Sequence, residues 1–394
     1  MHAYERLPSE RQTAIDRHSG LPVTRLTDTI GNSHALYFSQ PSWTRDDAYL
    51  ICASERDHGN QLYAIELASG ELLRLTDFEP ADDYAHVFCY TALNPLRDEL
   101  YCWRGRQLWA IDLASGERQA LASCPDGYRE HGTAVSADGR MLYTSISRDL
   151  SAELGPRDGT DLSIELHYHA AKPHSAIWAI DLVSGERRVI WDEAVGITHV
   201  LTSPTDADLV IFCHEGPWLQ VEQRIWGLRP SVGQPWPIIS RDPDWGIGHE
   251  FWLADGSGIG YHARYREGTW RHAAGFVAAD GSDHWQAELS VPTQHAHGAS
   301  RDWMLFDGTR EAGDFLLVAQ RTADGWQDPR CLAAHHSSRH GHNTHVHAHV
   351  RSDGRQVVYT SDRRGYSDVY LIDLPEDLQA LPPYPGKPFR YYWQ

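Results

Sequence analysis

Four histidines crowd the stretch His342-Asn343-Thr344-His345-Val346-His347-Ala348-His349, and His335, His336 and His340 stand just before it. Alternate side chains of a strand share a face, so this spacing predicts that His345 and His347 point the same way, with His349 deeper in the strand in a packing or hydrogen-bonding role. Neutral imidazoles converging on one face are a means of holding a borderline divalent metal, and a solvated, histidine-rich loop is the competing reading. Two other phrases place acid–base pairs at the edges of apolar runs: Phe212-Cys213-His214-Glu215-Gly216-Pro217 and Gly248-His249-Glu250-Phe251-Trp252. Strand alternation turns neighbours such as His249 and Glu250 to opposite faces, so a strand-capping role competes with a chemical one. The chain has no Gly-x-Ser-x-Gly elbow, Walker loop or dinucleotide fingerprint.

The elements that must position these residues form a repeat. Leu62-Tyr-Ala-Ile-Glu-Leu-Ala-Ser-Gly-Glu returns as Leu108-Trp-Ala-Ile-Asp-Leu-Ala-Ser-Gly-Glu and as Ile177-Trp-Ala-Ile-Asp-Leu-Val-Ser-Gly-Glu, with looser copies at Ile225, near Ala274 and at Val369. Each reads as strand, Ser-Gly or Asp-Gly turn, strand. A second phrase, a polar turn feeding an apolar strand, precedes each copy and occurs seven times between Ser42 and Gly354. Two hairpins per unit predict an all-β, seven-bladed β-propeller with four-stranded blades, spanning the chain as a single domain. The last unit lacks its final strand, whereas Leu21 to Thr27 supplies that strand with no first half, so the N-terminal strand near 21–27 is expected to close the ring. Residues 148–173 read as an insertion over one face, and 375–394 as an irregular tail.

Histidines stand at the expected inner strand of every blade: His34, His86, His131, His199, His249, His297, and His345 with His347. The channel mouth is therefore the expected site, with His34, His131, His199 and His214 as substrate contacts. For His86 and His199, hydrogen bonding along a wet channel is the alternative.

Composition narrows the partners. With 35 Lys and Arg against 54 Asp and Glu, a formal charge of −19 argues against nucleic acid or an anionic membrane as a main partner. Met1 to Ser9 lacks the apolar core of a signal peptide and no stretch reaches the length of a membrane span, so a cytoplasmic protein is expected. Cysteines at 52, 89, 102, 124, 213 and 331 have no CxxC spacing and are expected to be reduced and structural.

In Phe-Cys-His-Glu-Gly-Pro (212–217), His-Glu-Phe-Trp (249–252), Thr-His-Val-His (344–347) and Thr-Ser-Asp-Arg-Arg-Gly (360–365) the sequence resembles the oligogalacturonate lyase family. The likeness runs from about Gly20 to Leu374. It implies a cytoplasmic seven-bladed propeller that cleaves short pectic uronides by β-elimination, with an acidic oligosaccharide as partner. It also implies a divalent metal, usually manganese, held by His297, His342, His345 and His347, with His249 as base and Arg224 as the catalytic arginine. His342 stands where the family has Gln; an imidazole there softens the site toward zinc, iron or nickel. Glu215 or Glu250 would orient His214 or His249. The alternative function is a non-catalytic propeller that binds a sugar, peptide or protein at the channel mouth.

Overall fold

Branched and aromatic residues alternating with Ser-Gly and Asp-Gly turns favour hairpins over helices, and hairpins build nearly all of this molecule. The computed structural model describes residues 4–56, 59–79, 88–155, 162–218, 220–240, 244–265, 271–309 and 312–386. The described strands form seven antiparallel sheets, each a chain-ordered meander of four strands or a close variant. Their first strands, Ser33–Ala35, Ala92–Leu93, Tyr128–Val135, Val200–Thr202, Trp245–Trp252, Ala296–His297 and His349–Val350, line the inside of a seven-bladed propeller.

Seven apolar clusters fill the seven gaps between neighbouring blades. One of them joins Leu50, Cys52 and Tyr63 of the first blade to Val358 and Val369 of the last, so the ring is sealed by packing as well as by hydrogen bonds. The strand Pro22–Arg25 pairs antiparallel with Asp368–Asp373 of the seventh blade, Val23 opposite Ile372 and Arg25 opposite Tyr370. Gln12–Ile15 adds a further strand outside it, while Glu5–Leu7 pairs with Leu72–Arg74 of the first blade. The N-terminal segment thus straddles the seam, and Glu10 on the crossing holds Arg56 through two hydrogen bonds of 2.8 and 3.1 Å.

Within the stretch 148–173 lie two short helices, Ser151–Leu154 and Leu162–Ala171. Past the seventh blade a 3₁₀ turn, Leu378–Ala380, tucks Leu378 and Leu381 against the cluster between the sixth and seventh blades. All six cysteines are buried as free thiols.

Candidate active site

Three imidazoles meet where the sixth and seventh blades face the channel: ligand nitrogens of His295, His345 and His347 lie within 4.8 Å of one another. The alternation expected for 345–349 is not what brings them together. Only His349–Val350 is strand; His342–Thr344 forms a 3₁₀ turn and His347 has φ 42°, in the left-handed region. A β-branched-free but non-glycine residue held there costs conformational energy, and such strain persists where the surroundings fix it. Here the turn is fixed by Thr344, whose hydroxyl bonds both Gly341 backbone groups, by Thr360 N–H donating to Val346 O (2.9 Å), and by Asn343, which reaches Glu55 on the first blade.

His295 arrives from the other side and is oriented by Asp307. The carboxylate accepts from His295 N–H and Nδ1, both at 2.7 Å, leaving Nε2 as the outward lone pair. Burial works against charge on Asp307, but His295 and Arg339 beside it hold its carboxyl well below the usual carboxylate range. A carboxylate–histidine pair of this kind fixes the tautomer and raises the basicity of a metal ligand. His347 Nε2 is buried without a hydrogen-bond partner among the described residues, and burial, reinforced by His342, His295 and His345, holds its ring neutral far below the ordinary pKa. Converging imidazole nitrogens, one of them the unpartnered and neutral Nε2 of His347, fit a divalent cation. The His342 ring stands 4.8 Å from that of His347 and 5.3 Å from that of His345, adjacent to the group.

The sixth-blade member is a correction to the sequence reading: His295, not His297, joins the cluster. His297 is two residues on, its Nδ1 accepts the Val350 N–H at 3.1 Å and its ring stacks on Phe251 at 4.7 Å. It sits one layer deeper with His349, whose Nε2 meets Ser42 Oγ at 2.9 Å and whose Nδ1–H donates to His347 O.

His249 lies beside this group, its ring 4.4 Å from that of His295. The strand Trp245–Trp252 carries a bulge between Gly248 and Phe251, and His249 takes φ 54°. The bulge breaks the alternation that would send His249 and Glu250 to opposite faces. Trp218 packs edge-on against His249 at 4.7 Å, and a Cβ on Gly248 would lie 2.4 Å from the Trp218 ring, so only glycine permits that approach. Burial first, then His295, His262, Arg264 and Arg224, push the His249 pKa well below its ordinary value, and its Nδ1 has no partner among the described residues. Behind it, His262 and His272 share a hydrogen bond of 2.8 Å.

Arg224 is buried between two carboxylates: Nε donates to Glu250 Oε2 and NH1 to Glu215 Oε1, each at 3.2 Å. Burial opposes its charge, yet Glu215 and Glu250 outweigh it and raise its pKa well above normal. Glu250 Oε1 lies 3.7 Å from His199 Nδ1, and with Cys213 these form a second close group of possible donors. The pairing of Glu215 and Glu250 with Arg224 differs from the sequence expectation that they would orient His214 or His249. Tyr37 stands between the two groups, its ring 4.8 Å from His347 and 5.3 Å from His199.

The remaining expected contacts divide. His199 lies in the close group with Cys213 and Glu250, beside Arg224. His34 is buried, its Nδ1 beside Ala35 O and 3.5 Å from Cys89 Sγ. His131 sits at a bulge between Glu130 and Thr133 in the third blade, the same device that displaces His249. His214 turns to Glu193 at 2.9 Å and to the Trp226 ring, both on outer strands, which removes it from the group around Arg224. His86 lies outside the described residues. Missed from the sequence were His295, Asp307, Tyr37 and Trp218; of these, His295 alone had a visible signal, as the partner of His297 in a His-x-His pair.

Three imidazole nitrogens, a neutral buried histidine and a buried guanidinium gathered inside a seven-bladed propeller are a set chemically suited to holding a cation and to moving a proton beside an anionic group. The chain belongs to the oligogalacturonate lyase family, whose model, described as oligogalacturonate lyase, matches residues 1–314. An oligogalacturonide lyase of Pectobacterium atrosepticum is 25% identical, covering 95% of this chain and 98% of that one. An oligogalacturonate lyase of Dickeya dadantii is 24% identical, covering 93% and 96%. A solved oligogalacturonate lyase in complex with manganese superposes with a TM-score of 0.84 at 25% identity, covering 96% of this chain and all of that one.

Proposed function

We propose that this protein is a metal-dependent lyase that cleaves short, oligogalacturonate-like uronides by β-elimination. The observation that carries the reading is the meeting of His295, His345 and His347 beside His249 and Arg224, in a chain whose relatives are named for oligogalacturonides. The proton to be removed lies α to a carboxylate and is too weakly acidic while that group keeps its full charge. A divalent cation held by His295, His345 and His347, with His342 adjacent, supplies Lewis-acid neutralisation of that carboxylate when bound. The Arg224 guanidinium offers a second positive group to the aci-enolate. His249, kept neutral by burial, takes the C5 proton; the electron pair forms the C4=C5 bond as the bond from C4 to the glycosidic oxygen breaks, and that oxygen takes up a proton to leave as the alcohol, so that protons balance and no water is consumed.

Manganese is the metal suggested by the manganese-bound relative, and the nitrogen-rich donor set extends the candidates to zinc, iron and nickel. Buried free thiols are consistent with a cytoplasmic setting. Incubation with oligogalacturonate and manganese is expected to raise ultraviolet absorbance from the conjugated unsaturated product, and chelation to abolish it. A protein that binds uronides but forms no such product, with or without metal, is the non-catalytic binding propeller instead.

A further inference from the structure

Two carboxylates against one guanidinium is more than charge balance requires for a residue meant to receive a third carboxylate. Glu215 and Glu250 nevertheless both reach Arg224, with side-chain exposures of 4% for Arg224, 16% for Glu215 and 1% for Glu250. Their contacts use Nε and NH1. NH2 has no hydrogen-bond partner among the described residues, and its two N–H groups, with the second N–H of NH1, are the donors these two contacts leave over.

We infer that Glu250, with Glu215, is a positioning residue that locks the Arg224 guanidinium so that its NH2 edge faces the substrate carboxylate, and that the bulge at 249–250 ties this lock to the His249 base. The inference rests on the reading above that Arg224 receives that carboxylate. A planar guanidinium has its donors in a fixed fork, so fixing Nε and NH1 fixes the direction of NH2. Glu215 is itself held by Thr198 Oγ1 at 2.6 Å and by the Gly216 N–H at 3.0 Å, which makes that end of the clamp rigid. Glu250 is held by its strand. Consecutive residues on a regular strand could not serve a base and an arginine on one side; the register shift between Gly248 and Phe251 lets them. The base and the carboxylate holder are thereby set by one two-residue unit of backbone, and a shift in either moves both.

A clamp acting through Arg224 predicts non-additive losses. E250Q preserves shape and an acceptor oxygen but removes the charge; it is expected to lower kcat about 10- to 100-fold with a smaller change in KM. R224K loses the fork, and adding E250Q to R224K should cost less than about threefold more. Hydrogen exchange at the Arg224 Nε–H, read by nitrogen-15 NMR of arginine-labelled protein and assigned by its loss in R224K, should accelerate at least about tenfold in E250Q. Equal melting temperatures for wild type and E250Q exclude a folding defect, and E250D serves where they differ, with partial recovery of kcat expected. E250Q within threefold of wild type, losses that multiply in the double variant, or unchanged Nε–H exchange each overturn the inference. H249N separates the two readings: if it keeps full activity the base assignment fails, while coupling between Glu250 and Arg224 still stands or falls on its own numbers. A wild-type protein that makes no product from any uronide sinks the lyase reading and the catalytic half of this inference, and the exchange measurement then decides the clamp itself.

Discussion

At the scale of single residues, the metal group turns on the two-position difference between His295 and His297. Both belong to one His-x-His pair, and strand periodicity gives them the same face, so sequence spacing alone does not rank them. Their partners do. His295 Nδ1 is held by Asp307, freeing Nε2, whereas His297 Nδ1 accepts the Val350 N–H and its ring lies on Phe251. Asp307 is ten residues beyond His297 with a strand between, and no local motif marks it. We expect H295A to abolish high-affinity manganese binding in titration calorimetry and H297A to leave it within a fewfold of wild type. D307N keeps the shape but weakens the orientation of His295, and should cost about 10- to 100-fold in metal affinity. Equal losses for H295A and H297A would show that the ligand set is drawn from the deeper layer.

At the scale of elements, the propeller was legible because its signal is repeated: a strand–Ser-Gly–strand phrase recurring through the chain outweighs the ambiguity of any one copy. The complementary ends pointed to closure by the strand now seen at Pro22–Arg25. The strand Glu5–Leu7, which crosses to the first blade, was not legible; three residues with two of them charged carry no period. The bulges at 131–132 and 249–250 and the left-handed turn at His347 were hidden for a sharper reason. A one-residue insertion in register flips every later side chain, and nothing in the local letters announces it. His249 and His347 are therefore residues whose facing the alternation rule misjudges. The closing strand allows a direct test, because Thr24 pairs with Leu371 on one side and Thr13 on the other and so lies inside a sheet. Proline there removes a ladder hydrogen bond, and T24P is expected to lower the unfolding free energy by about 3 kcal/mol or more in urea titration. An unchanged midpoint would mean that packing across the seam holds the ring without that ladder.

At the scale of the whole molecule, the channel gathers histidines that the fold keeps uncharged. Burial, ahead of any neighbouring charge, pushes His249, His262, His297, His335 and His347 well below the ordinary imidazole pKa, and His349 down to about 4. In the unfolded chain each titrates near the ordinary value of about 6.5. The folded state therefore binds fewer protons than the unfolded state below that pH, and linkage makes stability fall as pH falls. The stability is fully present above about 6.5 and drains away down to the folded values, which for His349 alone, between 6.5 and about 4, amounts to on the order of 3 kcal/mol. Asp307 does not share this window, since it is held below the usual carboxylate range and exacts its loss only in stronger acid. The formal charge of −19 pushes the other way, since acid relieves self-repulsion among the excess carboxylates. Buried imidazoles are desolvated and surface carboxylates are screened, so the histidines set the sign. Metal-free protein is expected to lose several kcal/mol of unfolding free energy between pH 7.5 and 5 in urea titrations at fixed ionic strength. Saturating manganese should steepen that fall, because protons compete with the cation for His295, His345 and His347. A stability that is flat or rising over the same interval would mean that the channel imidazoles accept protons without leaving the fold.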